Sequence, residues 1–126
     1  GGDVALLALG HMVYHAWRAA QLLADAGVHT AVYDACAVWP PDTSALAHII
    51  AATPAIVTLE DHVVSGGFGS AVAEYVAARQ PHARLLRIGV PDRFVEHGAL
   101  PSLHHALGWQ PEQLAARITA WLRERH

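Results

Sequence analysis

Residues 55–72 read AIVTLEDHVVSGGFGSAV. Ala55 to Leu59 is an apolar, partly β-branched run, and Glu60, Asp61 and His62 follow it directly. Glycines at 66, 67 and 69 then lead into a stretch where Phe68, Val72, Tyr75 and Val76 recur at helical spacing. A strand, a glycine turn and a helix in that order form the repeating unit of an α/β protein. In such a unit the carboxyl end of the strand faces the amino end of the next helix. Helix amino termini attract negative charge, and glycine admits close approach of a ligand or a second backbone. The acids and the glycine turn are therefore the first place to look for a site.

Working outward, Val4 to Leu9 (VALLAL) is a continuous apolar run ending at Gly10, as expected of a parallel strand covered on both faces. Met12 to Ala26 has Met12, Ala16, Ala19, Ala20 and Leu23 on one face, which predicts a helix with Gly27 as its left-handed cap. Thr30 to Tyr33 gives a second strand, running on through Asp34, Ala35 and Cys36. Trp39-Pro40-Pro41 interrupts regular structure because proline lacks the backbone donor. Asp42 is a suitable N-cap for a helix over Thr43 to Ala52, which Pro54 stops. Beyond the glycine turn the helix runs to about Arg79. Leu85, Leu86 and Ile88 make a fourth strand, and the interleaved Arg84 and Arg87 suggest a sheet edge with one wet face. Gly89 to Gly98 is a structured loop, Pro101 to Leu107 a short helix. Pro111 then opens a last helix that buries Leu114, Ile118, Trp121 and Leu122. Strands alternating with helices predict a three-layer α/β/α fold with a mainly parallel sheet of four to five strands and right-handed crossovers. Residues 1–126 read as a single domain.

Composition narrows the function. The chain has 126 residues, is 53% hydrophobic and 15% charged, and carries a formal net charge of −3. That balance fits a core-rich globular domain and argues against a nucleic-acid partner, which calls for a clustered basic surface. All eight basic residues are arginine, so neither a P-loop lysine nor a Schiff-base lysine exists here. Cys36 is the single cysteine, which excludes an internal disulfide and fits a reducing, cytoplasmic setting. No apolar run approaches the roughly 18 residues that a membrane span requires, and no membrane role is expected.

Several arrangements of residues bear on chemistry. Gly67-Phe68-Gly69 begins like a dinucleotide fingerprint, but Val72 stands where a third glycine belongs. No G-x-S-x-G surrounds Ser65 or Ser70, so a hydrolase nucleophile is not indicated. His11 and His15 are four apart on a helix start, yet Met12 replaces the glutamate of a zincin and no third ligand follows. Glu60, Asp61 and His62 sit at the carboxyl end of a central strand, where ligands gather and paired acids can do acid–base work. The plainer reading is one acid capping or pairing with Arg93 while the others are solvated. Arg93, Glu96 and His97 meet the same rim if their loop folds back, anchored by Phe94 and Val95.

Taken together, the residues resemble the C-terminal domain of the transketolase superfamily, most closely the 1-deoxy-D-xylulose-5-phosphate synthase family within it. Val4 to Gly10 with Met12-Val13, Val32 to Pro40 (VYDACAVWP), Leu59 to Val72 with GGFGSAV, Gly89 to Gly98 with PDRFVEHG, and Leu107-Gly108 carry the match across essentially the whole chain. The resemblance implies a parent enzyme of three domains that condenses pyruvate with glyceraldehyde 3-phosphate, losing carbon dioxide, and feeds isoprenoid, thiamine and pyridoxal synthesis. Thiamine diphosphate and Mg²⁺ would lie between the other two domains, whose motifs are absent here. No catalytic, cofactor-binding or metal-binding residue is therefore carried over to this chain. The partners implied are those two domains and, in a homodimer, a second subunit. Glu60, Asp61, His62, Gly66, Gly67, Gly69, Ser70, Arg93 and His97 are the candidates for that contact or for an anion. Asp61-His62 departs from the family's usual second glutamate and small residue. The resemblance also implies one antiparallel edge strand, expected ahead of Gly1, whose absence would leave an edge bare and open to self-association. Two alternatives remain open: the C-terminal part of a split transketolase or of a 2-oxo-acid dehydrogenase β-subunit, and a free-standing α/β anion-binding module.

Overall fold

The computed structural model describes residues 2–35, 43–63, 67–79, 82–90 and 108–124, with backbone only at 43, 61–63 and 90. The strands are β1 (Val4–Ala8), β2 (Thr30–Asp34), β3 (Ala55–Val63) and β4 (Arg84–Val90). The helices are α1 (Met12–Asp25), α2 (Thr43–Ala52), α3 (Phe68–Arg79) and α4 (Pro111–Arg123). All four strands lie parallel in one sheet of order β2-β1-β3-β4. No antiparallel strand is present among the described residues.

The apolar run of β1 is continuous because both of its faces are covered. Val4, Leu6 and Ala8 pack with Met12, Ala16, Ala19 and Leu23 of α1 and with Leu114, Ile118 and Trp121 of α4. Ala5 and Leu7, pointing the other way, pack with Leu46, Ile49 and Ile50 of α2 and Phe68, Val72 and Val76 of α3. The period of two along a strand thus splits one sequence run between two cores, and the molecule has three layers. Gly27 adopts φ +85°, the left-handed cap anticipated after α1. Ahead of α4, Gly108 takes φ +80°, Trp109 is buried, and Gln113 Oε1 accepts a hydrogen bond from the Gln110 backbone N–H at 3.1 Å.

Two expectations need correction. β3 does not stop at Leu59 but continues to Val63, so Glu60, Asp61 and His62 belong to the strand. The ladder with β4 is irregular there: Leu59 pairs Ile88, and pairing resumes only at Val63 with Val90. Four residues of β3 therefore advance beside two of β4, the mark of a bulge, which re-aims side chains near a strand end. β2 in turn ends at Asp34, and Ala35 does not continue it as a strand.

β4 does lie at the outer position of the sheet, but its arginines do not form one wet face. Arg84 and Arg87 are three apart, so they leave the strand on opposite sides and both are half-buried. Arg84 donates to the carbonyl oxygens of Trp121 at 2.6 Å and Leu122 at 3.3 Å, and its guanidinium lies 4.6 Å from the Trp121 ring centre. It thereby neutralises the negative carboxyl end of α4 and ties that helix to the sheet edge. Replacing Arg84 with alanine should cost about 1–3 kcal/mol, with faster amide exchange confined to the last turn of α4. Arg84→Lys should recover less than half of that, since an ammonium cannot span two carbonyls as a planar fork does. Urea titration and hydrogen exchange check both.

Asp42, the Trp39-Pro40-Pro41 break, Cys36, Gly66, the loop bearing Arg93 and His97, and the predicted helix at 101–107 lie outside the described residues.

Candidate functional site

Among the described residues, Glu60 is the one acidic side chain that is buried, at 2% exposure. It follows Thr58 by two positions, so both point to the α3 side of the sheet. α3 begins at Phe68, and the backbone N–H of Gly69 donates to Glu60 Oε2 at 3.1 Å. A carboxylate thus occupies the positive amino end of this helix, supplied from within the chain.

The glycines make this possible by what they lack. A Cβ on Gly67 would stand 2.6 Å from Glu60 Oε1 and 2.7 Å from Oε2, well inside contact distance. A Cβ on Gly69 would stand 3.0 Å from Thr58 Oγ1, 3.2 Å from Arg87 Nε and 3.4 Å from Glu60 Oε1. Carboxylate, hydroxyl and guanidinium therefore converge on the point a Gly69 Cβ would occupy. Arg87 Nη2 also donates to Ser70 Oγ at 2.7 Å, fastening β4 to the first turn of α3. Thr58 Oγ1, buried as well, has no hydrogen-bond partner among the described residues.

Of the candidates named from sequence, the structure brings together Glu60, Gly67, Gly69 and Ser70. Asp61 and His62 are placed only as backbone of β3, and Gly66, Arg93 and His97 are outside the described residues. Sequence reasoning missed Thr58 and Arg87. They sit directly opposite each other in the β3–β4 register, and an arginine at the alternating position beside a buried acid was the available signal.

The chemistry of this arrangement is that of an internal latch. Gly69 donates to Glu60, while the N–H groups of Ser70 and Ala71 donate to Gly67 O at 3.1 and 3.4 Å. Those amides are engaged, and an anion arriving there would meet a carboxylate. A diphosphate does not fit such a site. Among the described residues no three His, Cys, Asp or Glu side chains come together to hold a metal ion. The described part of this chain does not suit thiamine diphosphate with Mg²⁺, and no chemical step is assigned to it.

Fold and turn define a three-layer α/β domain whose parallel sheet carries an acid-latched glycine turn on its central strand. The profile of the family described as "Transketolase, C-terminal domain" matches residues 1–114, and the chain belongs to that family. It is 40% identical over 122 residues to 1-deoxy-D-xylulose-5-phosphate synthase of Acidobacterium capsulatum, covering 97% of this chain and 20% of that protein. It is 37% identical over 118 residues to the same-named protein of Cytophaga hutchinsonii, covering 94% of this chain and 19% of that one. The chain thus spans about a fifth of the length of these curated relatives. Among solved structures it resembles a split-gene transketolase described as an inactive β4 tetramer, with TM-score 0.84 and 34% identity over 97% of this chain and 39% of the other. A transketolase variant from Pichia stipitis shares the fold, at TM-score 0.62 and 16% identity over 95% of this chain and 16% of that one.

Proposed function

We propose that this chain is the C-terminal, non-catalytic domain of a thiamine-diphosphate-dependent enzyme of the 1-deoxy-D-xylulose-5-phosphate synthase type. The parent joins pyruvate to glyceraldehyde 3-phosphate with loss of carbon dioxide, in the cytoplasm. The observation that carries this is 37–40% identity to synthases of that name across nearly the whole of a chain one-fifth their length. The domain's work is assembly: it packs on the other two domains and supports a homodimer. The β3–α3 turn from Glu60 to Ser70 and the loop bearing Arg93 and His97 are the surfaces assigned to that contact. The latch by Glu60 favours this over anion binding, because it holds the turn in one shape and leaves Gly69 no free donor.

Titration calorimetry of the chain with thiamine diphosphate and Mg²⁺ provides the test. No heat of binding is expected up to millimolar ligand, and micromolar affinity for this chain alone would overturn the non-catalytic reading. A second reading, the separately encoded C-terminal part of a split transketolase, is favoured by the likeness to the split-gene protein at 34% identity. Mapping the 5′ end of the transcript separates the two, since a translation start beside residue 1 belongs only to the split arrangement.

A further inference from the structure

Glu60 is tethered to β3, and its reach decides which donors it can satisfy. Its Oε2 accepts the Gly69 N–H at 3.1 Å, while the amides of Ser70 and Ala71 turn back onto Gly67 O. The Thr58 hydroxyl is left over. Thr58 is 1% exposed, and its Oγ1 has no hydrogen-bond partner among the described residues. That oxygen is aimed at the first turn of α3, 3.0 Å from the point a Gly69 Cβ would occupy. Arg87 Nε lies 3.2 Å and Glu60 Oε1 3.4 Å from the same point. A buried hydroxyl without a partner is costly, and proteins leave few of them. A helix amino end, a buried hydroxyl and a guanidinium are the parts of a carboxylate site, here gathered round an acid of the same chain.

We infer that the amino end of α3 is a carboxylate-binding site whose resident ligand is Glu60, and that it accepts a free acetate ion once that side chain is cut back. Glu60→Ala removes the Cγ methylene and the carboxylate, which together are the atoms of one acetate. The donors stay in place without them, because other contacts hold the turn. Phe68 and Val72 pack α3 into the core, and Arg87 Nη2 donates to Ser70 Oγ at 2.7 Å. An acetate has no bond to β3 and can turn freely. One oxygen then takes the Gly69 N–H and the other the Thr58 O–H, which the tethered carboxylate does not reach. Formate lacks the methyl group and leaves the methylene space unfilled, whereas propionate overfills it, and a close-packed interior penalises both. With Glu60 present the site is closed, since its own acid excludes any external anion. This binding chemistry is independent of the enzyme assignment.

Thermal unfolding of the full chain in sodium acetate, against sodium chloride of equal ionic strength, is the test. Glu60→Ala should gain about 3–6 °C in Tm at about 200 mM acetate, saturating as a binding isotherm does. If the variant is largely unfolded at room temperature, acetate and not chloride should restore its helical circular dichroism. Formate and propionate should give smaller shifts than acetate. The native chain and Glu60→Gln, in which the space is filled, should gain no more from acetate than from chloride. Thr58→Val should leave the native Tm unchanged or higher, because its hydroxyl bonds to nothing there. In the Glu60→Ala chain the same change should weaken acetate binding by about fivefold or more, the worth of one hydrogen bond. Equal responses of Glu60→Ala to acetate and chloride would overturn the proposal. So would an acetate gain of the same size in the native chain, or one that Thr58→Val leaves untouched.

Discussion

Glu60→Ala is expected to lower the unfolding free energy by about 2–4 kcal/mol. Its carboxylate is 2% exposed and accepts the Gly69 N–H at 3.1 Å. Truncation strands a buried donor and opens space under the first turn of α3. Glu60→Gln keeps the volume and an acceptor, and should lose about half as much. Gly67→Ala should cost about 1–3 kcal/mol in the native background, because its Cβ would press on the carboxylate at 2.6 Å. In the Glu60→Ala background the same change should cost far less, since the atoms it collides with are gone. A double-mutant cycle by urea unfolding should therefore give a coupling energy of at least about 1 kcal/mol. Additive single effects would mean that the carboxylate does not hold the turn.

Phe68→Ala is expected to cost about 3–5 kcal/mol, a large part of the roughly 5–15 kcal/mol by which such a domain is stable. Phe68 is the largest of the fully buried side chains among the described residues and starts α3. It packs among the residues that β1, β3 and α2 present to this side of the sheet, including Leu7, Ile56 and Leu46. Losing the ring removes about 150–250 Å² of buried surface and detaches the helix end that carries Gly69. Thermal and urea denaturation should show a folded population much reduced at 37 °C. Trp17→Ala, similar in size but half-exposed, should change the monomer's stability by less than about 0.5 kcal/mol. Equal effects at the two positions would contradict the burial pattern.

The reading of Glu60 shows where the sequence stops being informative. Its place beside Leu59 at the end of an apolar run, and the glycines that follow, were visible as a strand, a turn and a helix. The alternation of β1 was not visible, because every residue from Val4 to Ala8 is apolar and either face suits them. The end of β3 was misread for a related reason. An acid after an apolar run ordinarily marks the exit to solvent, whereas here a helix amino terminus arriving from nine residues later supplies the partner that lets the acid remain inside. Arg84 and Arg87 in sequence suggest a wet edge; β4 does lie outermost among the described strands, but both arginines turn to partners within the domain. Each finds polar groups that sequence distance hides, α4 carbonyls 37 and 38 residues away in one case and Ser70 17 residues away in the other.

By itself, the sequence determined the class of fold, the order of its elements and the family. Apolar periodicity, caps and turn residues are local properties, and the GGFGSAV and PDRFVEHG stretches are specific as strings. Only the tertiary structure decided which of the described strands lie outermost and that Glu60 is turned inward onto Gly69. Those outcomes depend on strand order and on the approach of α3 to β3. They are set by packing between segments distant in sequence, which no window along the chain contains.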